Sequence, residues 1–488
     1  MKNFRTKRLL AMVIAAVTVF CCFPAGGAAA KTQEGAFTYE EVEGGVKIVA
    51  TTAETPHVVI PETLGGKPVV ELGNYLFDKS NYRKKLESVT LPEGLQIIGD
   101  GVFSNCENLT EVNIPSTVTK IGNQAFESCG VSRVELPEGI ASVGLGAFRW
   151  SKLESLQIPA SLTKIGMVAF VGCNELKELT VAKGHPLYTS VNNCVIDGTK
   201  TLVMGCNASV IPEDGSVTAI GAHAFRNLSF ETFTVPSCIT EIGEAAFAQC
   251  DLKEIVLSEG LQTIGREAFG NCRYLESVKL PASVKTVESD AFSMCEALRE
   301  VELSSGLEYM GELAFAHCDN LVSVKIPEGV TSIGNLAFSG AALEELVLPG
   351  TLKTIGYGAF SECENLKTVK IPAAVAEIQG NVFGLCMSLT DIYCEAASQP
   401  AGWSEDWLTD CSAEVHWNAV SSLKPGDLNS DGKITAIDYA MVKRYVLKGT
   451  GLDDAQKSAA DINGDGKINS IDYAFVKKHV LGTYTIKW

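Results

Sequence analysis

The chain has 488 residues, 46% of them hydrophobic and 20% charged, with 58 Asp and Glu against 40 Lys and Arg. That apolar share excludes wholesale disorder, and at roughly 100–200 residues per domain the length predicts about three domains. A net charge of −18 argues against a nucleic-acid ligand, because phosphate contacts need clustered Lys and Arg.

Residues 1–30 read as an address. Lys2, Arg5, Lys7 and Arg8 form a positive start, and Leu9 to Phe23 is a short apolar core. Ala28, Ala29 and Ala30 then offer a small-residue cleavage site before Lys31. The apolar run is shorter than the ~20 residues a spanning helix needs. Cys21 and Cys22 follow Phe20 and Cys21 rather than a small residue, which argues against a lipid-modified cysteine. The expectation is a signal peptide on a secreted, extracellular chain with no membrane insertion.

From there a beat of 22–23 residues dominates. Phe103, Phe126, Phe148 and Phe170 open it, and after a longer gap it resumes at Phe225 and runs to Phe383. Five residues before each Phe stands an aliphatic position, such as Ile98, Ile121, Val143 and Ile165, usually followed by glycine. Phe77, five after Leu72, reads as a worn first copy. In the unit Leu109–Cys129, Val112 and Ile114 alternate with polar residues, the period of a half-buried strand. Pro115 ends that strand, because it cannot donate to a ladder. Val118 and Ile121 follow, then a glycine turn, then a short helical or 3₁₀ piece beginning at Ala125 and Phe126. Each unit can bury its apolar side only against its neighbours. Some thirteen coils stacked at about 4.8 Å would form a rod roughly 60 Å long.

The unit L-x-x-V-x-I-P…I-G-x-x-A-F-x-x-C resembles the BspA-like class of leucine-rich repeats across about residues 36–418. That resemblance implies a right-handed β-solenoid, surface-exposed or secreted, with no common enzymatic activity. The solenoid is assigned to residues 31–418. Residues 182–215 interrupt it, and Cys194 to Val203 reads as a hairpin turning on Asp197-Gly198. After Phe383 the pattern decays into residues 387–418, with Trp403, Trp407 and Trp417. A C-terminal cap is the preferred reading there, and a sugar-binding platform the alternative.

Nine cysteines, from Cys106 and Cys129 to Cys363 and Cys386, sit three residues after a repeat Phe, and so form one column. Ser151, Leu228 and Ala341 occupy the same slot in other coils. A slot that accepts these residues wants a small buried group, so free thiols are expected although secretion favours bridges. Cys194 with Cys206, and Cys394 with Cys411, lie outside the column and are the better disulfide candidates. Between the buried strand residues an outward column includes Asn113, Glu135, Gln157, Lys279, Glu302 and Lys325. No aromatic stands in it from Asn113 to Lys370, so that face is poor for stacking sugars and suits a protein partner or solubility.

After a linker at 419–423, residues 424–488 carry two matching segments. The first has Asp427, Asn429, Asp431, Lys433, Thr435 and Asp438 at positions 1, 3, 5, 7, 9 and 12; the second has Asp461, Asn463, Asp465, Lys467, Asn469 and Asp472. Gly432 and Gly466 at position 6 allow the sharp turn. Side-chain oxygens at this spacing, with a backbone carbonyl from each lysine, form the EF-hand calcium loop and predict two Ca²⁺. Position 12 is Asp rather than the usual Glu. An amphipathic helix follows each loop and none comparable precedes either, so the expected unit is a small all-α domain of two half EF-hands.

Duplicated loop–helix units of this kind resemble a type I dockerin. The resemblance implies binding to a cohesin module of a scaffoldin, and so a place in a cellulosome, an assembly for polysaccharide catabolism. It points to Ala436, Ile437, Lys443 and Arg444 in one half and Ser470, Ile471, Lys477 and Lys478 in the other as cohesin contacts. Because the halves are so alike, either is expected to face the cohesin after a half-turn.

The six histidines are scattered, and no metalloprotease, nucleophile-elbow or phosphate-loop motif is present. The expectation is a non-catalytic chain whose solenoid meets an unidentified protein or cell-surface ligand. The alternatives are a carbohydrate-binding accessory module and, further off, a polysaccharide-degrading enzyme or enzyme inhibitor. Loss of the first thirty residues would leave a net charge of −22, of which residues 424–488 contribute +2. The acidity therefore belongs to the solenoid.

Overall fold

The computed structural model describes residues 30–78, 83–419, 425–429, 433–452, 454–463 and 467–486. The expected signal segment and most of the expected linker lie outside the described residues.

Each repeat makes one coil with three laddered sides. In the unit 109–129, Glu111–Asn113 pairs in parallel with Ser88–Thr90 of the coil before, in register, so that Val112 meets Val89. The second side is shorter: Lys120–Ile121 lies between Ile97–Ile98 and Ser142–Val143, again equivalent against equivalent. Alternation along these strands sends Val112, Ile114 and Ile121 inward.

The third side corrects the expected helical piece. Residues after each glycine form a run of turns, because two residues four apart adopt left-handed backbone, as at Gln124 (φ 53°) and Ser128 (φ 52°). A helix would need their N–H groups for its own carbonyls. Instead Gln124, Phe126 and Ser128 donate to Leu145, Ala147 and Arg149 of the next coil at 2.7–2.8 Å. This ladder sets the phenylalanine spacing. Phe126 and Phe148 stack with centroids 4.9 Å apart and planes 4° from parallel, and after a break between Phe170 and Phe225 the column resumes and runs to Phe360 and Phe383 at 5.8 Å. Burying each ring contributes about 1.5–3 kcal/mol, so the column is a principal source of stability.

The cysteine column lies beside the rings. The Cys272 and Cys295 thiols donate to the carbonyls of Phe247 and Phe269 in the preceding coil, at 3.1 and 3.3 Å. Every described cysteine is a free thiol, which agrees with the column reading and corrects the two disulfide candidates. Cys194 Sγ lies 3.6 Å from the carbonyls of Asn192 and Val210, and Cys206 Sγ accepts from Ser209 Oγ. Burial pushes the thiols of Cys106, Cys272 and Cys318 up to about 12.

The stack extends past the clearest repeats at both ends. Phe77 stacks on Phe103 at 5.4 Å, and Gly45–Thr51 pairs with Lys67–Leu72 after an antiparallel hairpin with Phe37–Val42. At the other end Gly402–Trp403 pairs with Glu377–Ile378, placing Trp403 in the aliphatic slot. Trp407 meets Phe383 edge-on at 6.4 Å. Residues 387–418 thus continue the coils with larger rings, which close the apolar end.

The insertion 182–215 forms a three-stranded antiparallel meander of Tyr188–Val191, Cys194–Asp197 and Thr201–Met204. The expected hairpin is present, but Lys200 (φ 68°), not Gly198, takes the left-handed conformation. Asp197 Oδ1 closes the turn by accepting from the N–H groups of Thr199 and Thr201 at 2.8 and 3.0 Å. Thr201–Met204 then runs parallel to Ala219–Ile220 and restarts the ladder.

Candidate calcium and docking site

Residues after 425 form three helices: α1 (Ala436–Lys448), α2 (Asp454–Ala460) and α3 (Ser470–Val480). The loop ends and helix starts share side chains. Thr435, at loop position 9, is the N-cap of α1, its Oγ1 accepting from Ile437 N at 3.2 Å. Asp438, at position 12, returns Oδ2 to Thr435 N at 2.9 Å and completes a capping box. Its Oδ1 accepts from Leu428 N and Asn429 N at 2.8 and 3.1 Å. One carboxylate thereby ties the start of the loop to its end. The second half repeats this: Asn469 caps α3 through Ile471 N at 2.8 Å, and Asp472 reaches Asn469 N, Ile462 N and Asn463 N at 3.0, 2.9 and 3.4 Å.

Both position-12 carboxylates are fully buried, and Asp427 nearly so. Buried carboxylates need strong compensation. Loop donors consisting of carboxylate, amide, hydroxyl and carbonyl oxygens match the hard-oxygen set that calcium prefers. The residues present fit the ion, with Asp431 and Asp465 lying outside the described residues. The sequence motif gave the ligand spacing, but it did not reveal that positions 9 and 12 double as helix caps. The T-x-x-D and N-x-x-D patterns were the available signal.

A short helix, α2, runs directly into Asp461; at seven residues it is not comparable to α1 or α3, with thirteen and eleven. Gln456 Nε2 donates to Leu428 O at 3.1 Å, and Gly426 N donates to Ala459 O at 2.8 Å, so this short helix braces the first loop. Beneath the loops, Leu428, Ile434, Val442, Val476 and Ile486 share one apolar cluster. Tyr439 and Tyr473, equivalent residues of the two halves, stack at 4.8 Å with their hydroxyls hydrogen-bonded. Contact between equivalents is what a two-fold relation produces.

The proposed contact residues Ala436, Ile437, Lys443, Arg444, Ser470, Ile471, Lys477 and Lys478 are all exposed. Ile437 and Ile471 stand at 58% and 51% exposure in the first turns of their helices. Sequence reasoning missed Leu447 and Leu481, which are 73% and 64% exposed at equivalent positions. Their repetition, ten residues after each isoleucine, was the signal.

The solenoid's sugar-platform candidate does not survive its geometry. Trp403 and Trp407 are buried, and Trp403 Nε1 donates to Val375 O at 3.1 Å. The outward strand column continues past Lys370 to Tyr393 and His416, which stack at 4.8 Å, so it ends on an aromatic. His416 Nε2 also lies 2.8 Å from Asp391 Oδ1, with Glu414 in the same group. Bonds from Thr390 and His416 hold the Asp391 carboxyl below its ordinary range. No described helix is long and apolar enough to cross a membrane.

Comparison with known proteins matches two families. The model described as the BspA type leucine rich repeat region matches six copies over residues 70–201, 218–343 and 331–401. The type I dockerin model matches residues 425–481. No curated protein matches the chain. Among solved structures, a leucine-rich repeat protein from Bacteroides ovatus is 24% identical, with 79% of this chain and 99% of that one covered at a TM-score of 0.45. A leucine rich cell surface protein from Faecalibacterium prausnitzii is 23% identical, with 80% and 100% covered at 0.40. The pneumococcal vaccine antigen PcpA is 21% identical, with 80% and 93% covered at 0.49. Leucine-rich repeat and dockerin domains are typically non-catalytic and typical of extracellular or cell-surface bacterial proteins; type I dockerins bind calcium and take cohesin partners. The chain belongs to the BspA-type leucine-rich repeat proteins and carries a type I dockerin domain at its C-terminal end.

Proposed function

We propose that this is a secreted, non-catalytic cellulosome component. Its dockerin, residues 424–488, binds a scaffoldin cohesin, and its solenoid, residues 31–418, presents a surface to a protein or cell-surface target. The supporting observation is the near-repetition of one exposed docking face about the Tyr439–Tyr473 contact. Two Ca²⁺ would be held, one by Asp427, Asn429, Asp431, Lys433, Thr435 and Asp438, the other by Asp461, Asn463, Asp465, Lys467, Asn469 and Asp472. The ion supplies charge that offsets the clustered carboxylates and fixes each loop, while Asp438 and Asp472 hold the start of the following helix. Ala436, Ile437, Lys443 and Arg444 form one docking face; Ser470, Ile471, Lys477 and Lys478 form the other.

Reversing Lys443/Arg444 and Lys477/Lys478 to Glu, singly and together, tests this in a cohesin pull-down with calcium and with chelator. Binding should need calcium, survive either single reversal and fail in the double. Loss from one reversal alone would refute the two-way docking, and binding in chelator would refute the calcium requirement.

A further inference from the structure

At the insertion, the ladder that joins the turns stops. In the coil before, Gly146, Phe148 and Trp150 donate their N–H groups to Met167, Ala169 and Val171 at 2.7–3.1 Å. In the coil after, His223, Phe225 and Asn227 donate to Glu244, Ala246 and Ala248 at 2.8–2.9 Å. The three donors between, on Val168, Phe170 and Gly172, meet no acceptor among the described residues. The pattern would give them the carbonyls of Ala222, Ala224 and Arg226. Of these, Ala224 O accepts from Gly205 N at 2.9 Å, and the other two accept from no described residue.

Two further observations fall at the same place. The aromatic column splits: Phe170 stacks on Phe148 at 5.4 Å and Phe225 on Phe247 at 5.1 Å, with no stack between Phe170 and Phe225. Between the two walls lies a cavity of ≈ 290 Å³, lined by Met167, Phe170, Tyr188, Met204, Arg226 and Glu244 among others. Its lip is open, with Met167 65% exposed. On the neighbouring strand side the insertion does satisfy the free edge, since Leu179 N donates to Asn193 Oδ1 and Val181 N to Ser190 Oγ at 3.0 and 2.9 Å. Phe170 and Gly172 are buried and Val168 is half-buried; since more than about 90% of buried backbone donors in native proteins are paired, this row without protein partners marks a place able to receive acceptors.

We propose that this break receives an extended polypeptide segment of a partner. The segment's carbonyls accept from Val168, Phe170 and Gly172, and an apolar side chain fills the cavity between the two aromatic stacks. Donors on every second residue match the alternation of an extended strand, as in strand addition to an open sheet edge. Unused acceptors on the facing wall offer the same segment a second row of bonds. Charge narrows the choice. Arg226 has no carboxylate partner among the described residues, its polar contacts being His223 Nδ1 at 3.3 Å and Gln249 Oε1 at 3.4 Å. A segment carrying Asp or Glu would supply one. The cavity sits at the lower edge of the ~300–1,000 Å³ range of ligand pockets, so the segment is short. This inference rests on the reading of the solenoid as a protein-binding module.

The test selects phage-displayed random heptapeptides on the full chain and remakes the winners as synthetic peptides for fluorescence anisotropy. Winners should combine an apolar residue with Asp or Glu. Ala222 is exposed at the lip, so Ala222→Trp blocks the cavity without entering the core. A222W and R226E should each weaken binding about tenfold or more, while calcium-dependent cohesin capture stays unchanged. Residue-resolved hydrogen exchange should show fast exchange at Val168, Phe170 and Gly172 in the free chain and slowing there with peptide, against constant protection at Phe148. Selection of no peptide, or exchange at the three amides as slow as at Phe148 without peptide, would overturn the proposal. Winners indifferent to A222W would also overturn it, while leaving the solenoid a protein-binding module.

Discussion

Truncating one ring of the column tests whether stability is carried coil by coil. Phe292 is fully buried and stacks on Phe269 at 5.1 Å and on Phe315 at 5.2 Å. Its neighbours are laddered to coils on both sides, so they cannot collapse into the space a smaller side chain leaves. Phe292→Ala should therefore cost about 3–5 kcal/mol, including stacked contacts worth about 0.5–1.5 kcal/mol each. Phe170 is the informative control. It stacks on Phe148 alone and borders the cavity of ≈ 290 Å³, so Phe170→Ala loses one stack and enlarges a space that is already open. Its cost should be lower by about 1 kcal/mol or more. Urea unfolding of the full chain, followed by near-ultraviolet circular dichroism, measures both as midpoint shifts. The apolar core divides into two clusters that meet at the insertion, so F292A should act on the block after it. A Phe170→Ala cost equal to that of Phe292→Ala would refute the reasoning.

The column thiols should resist alkylation at neutral pH in the folded chain and react on unfolding, as counted by mass spectrometry. Because folding raises thiols such as Cys272 and Cys318 from 9.0 to about 12, their protonated form is favoured in the fold. Their stabilising contribution is complete below pH about 9 and is lost as pH rises towards about 12, so thermal midpoints should fall across that window. Trp403→Ala with Trp407→Ala should lower the unfolding midpoint of the C-terminal block, each buried ring costing about 3–5 kcal/mol, without changing retention in polysaccharide affinity gels. Asp438→Ala leaves three backbone donors without their acceptor, and Asp472→Ala does the same in the other half. Each should remove one of two calcium ions in a calorimetric titration, and loss of both from either change would refute independent loops.

The repeat was legible because stacking demands the same residue at the same place in every coil. Phe126, Ile121 and Gly122 declare themselves by recurrence, and the calcium loops do so because metal geometry fixes ligand spacing. What stayed hidden depends on contacts between coils. Nothing local in Gln124 or Ser128 announces a left-handed backbone, since it is the next coil's carbonyls that draw their N–H groups away from a helix. Trp403 and Trp407 break the pattern, so the sequence favoured a cap over a sugar platform without revealing that they fill the repeat's own slots with larger rings. The seven residues of α2 are too few to show a helical period. The broken ladder at Val168 was invisible for the opposite reason: the sequence there matches the repeat, and it is the partner coil that has moved.

The turn ladder also has a direction. In coil after coil the N–H of the earlier turn points to the carbonyl of the later one, as from Phe126 to Ala147 and from Phe247 to Ala268. Peptide dipoles of about 3.5 D aligned in this way add head to tail, as they do along an α-helix. The turn side of the rod is thus electrically polar, negative towards its first coil and positive towards its last within each block, while on the strand sides bonds such as Gly122 N to Ile98 O run the other way. A duplicated coil can be spliced into such a molecule in its original orientation without disturbing the field of its neighbours, whereas a reversed one would oppose it. Growth by duplication is then electrostatically neutral to its site, and the interruption after Phe170 leaves the first block's positive pole facing the gap.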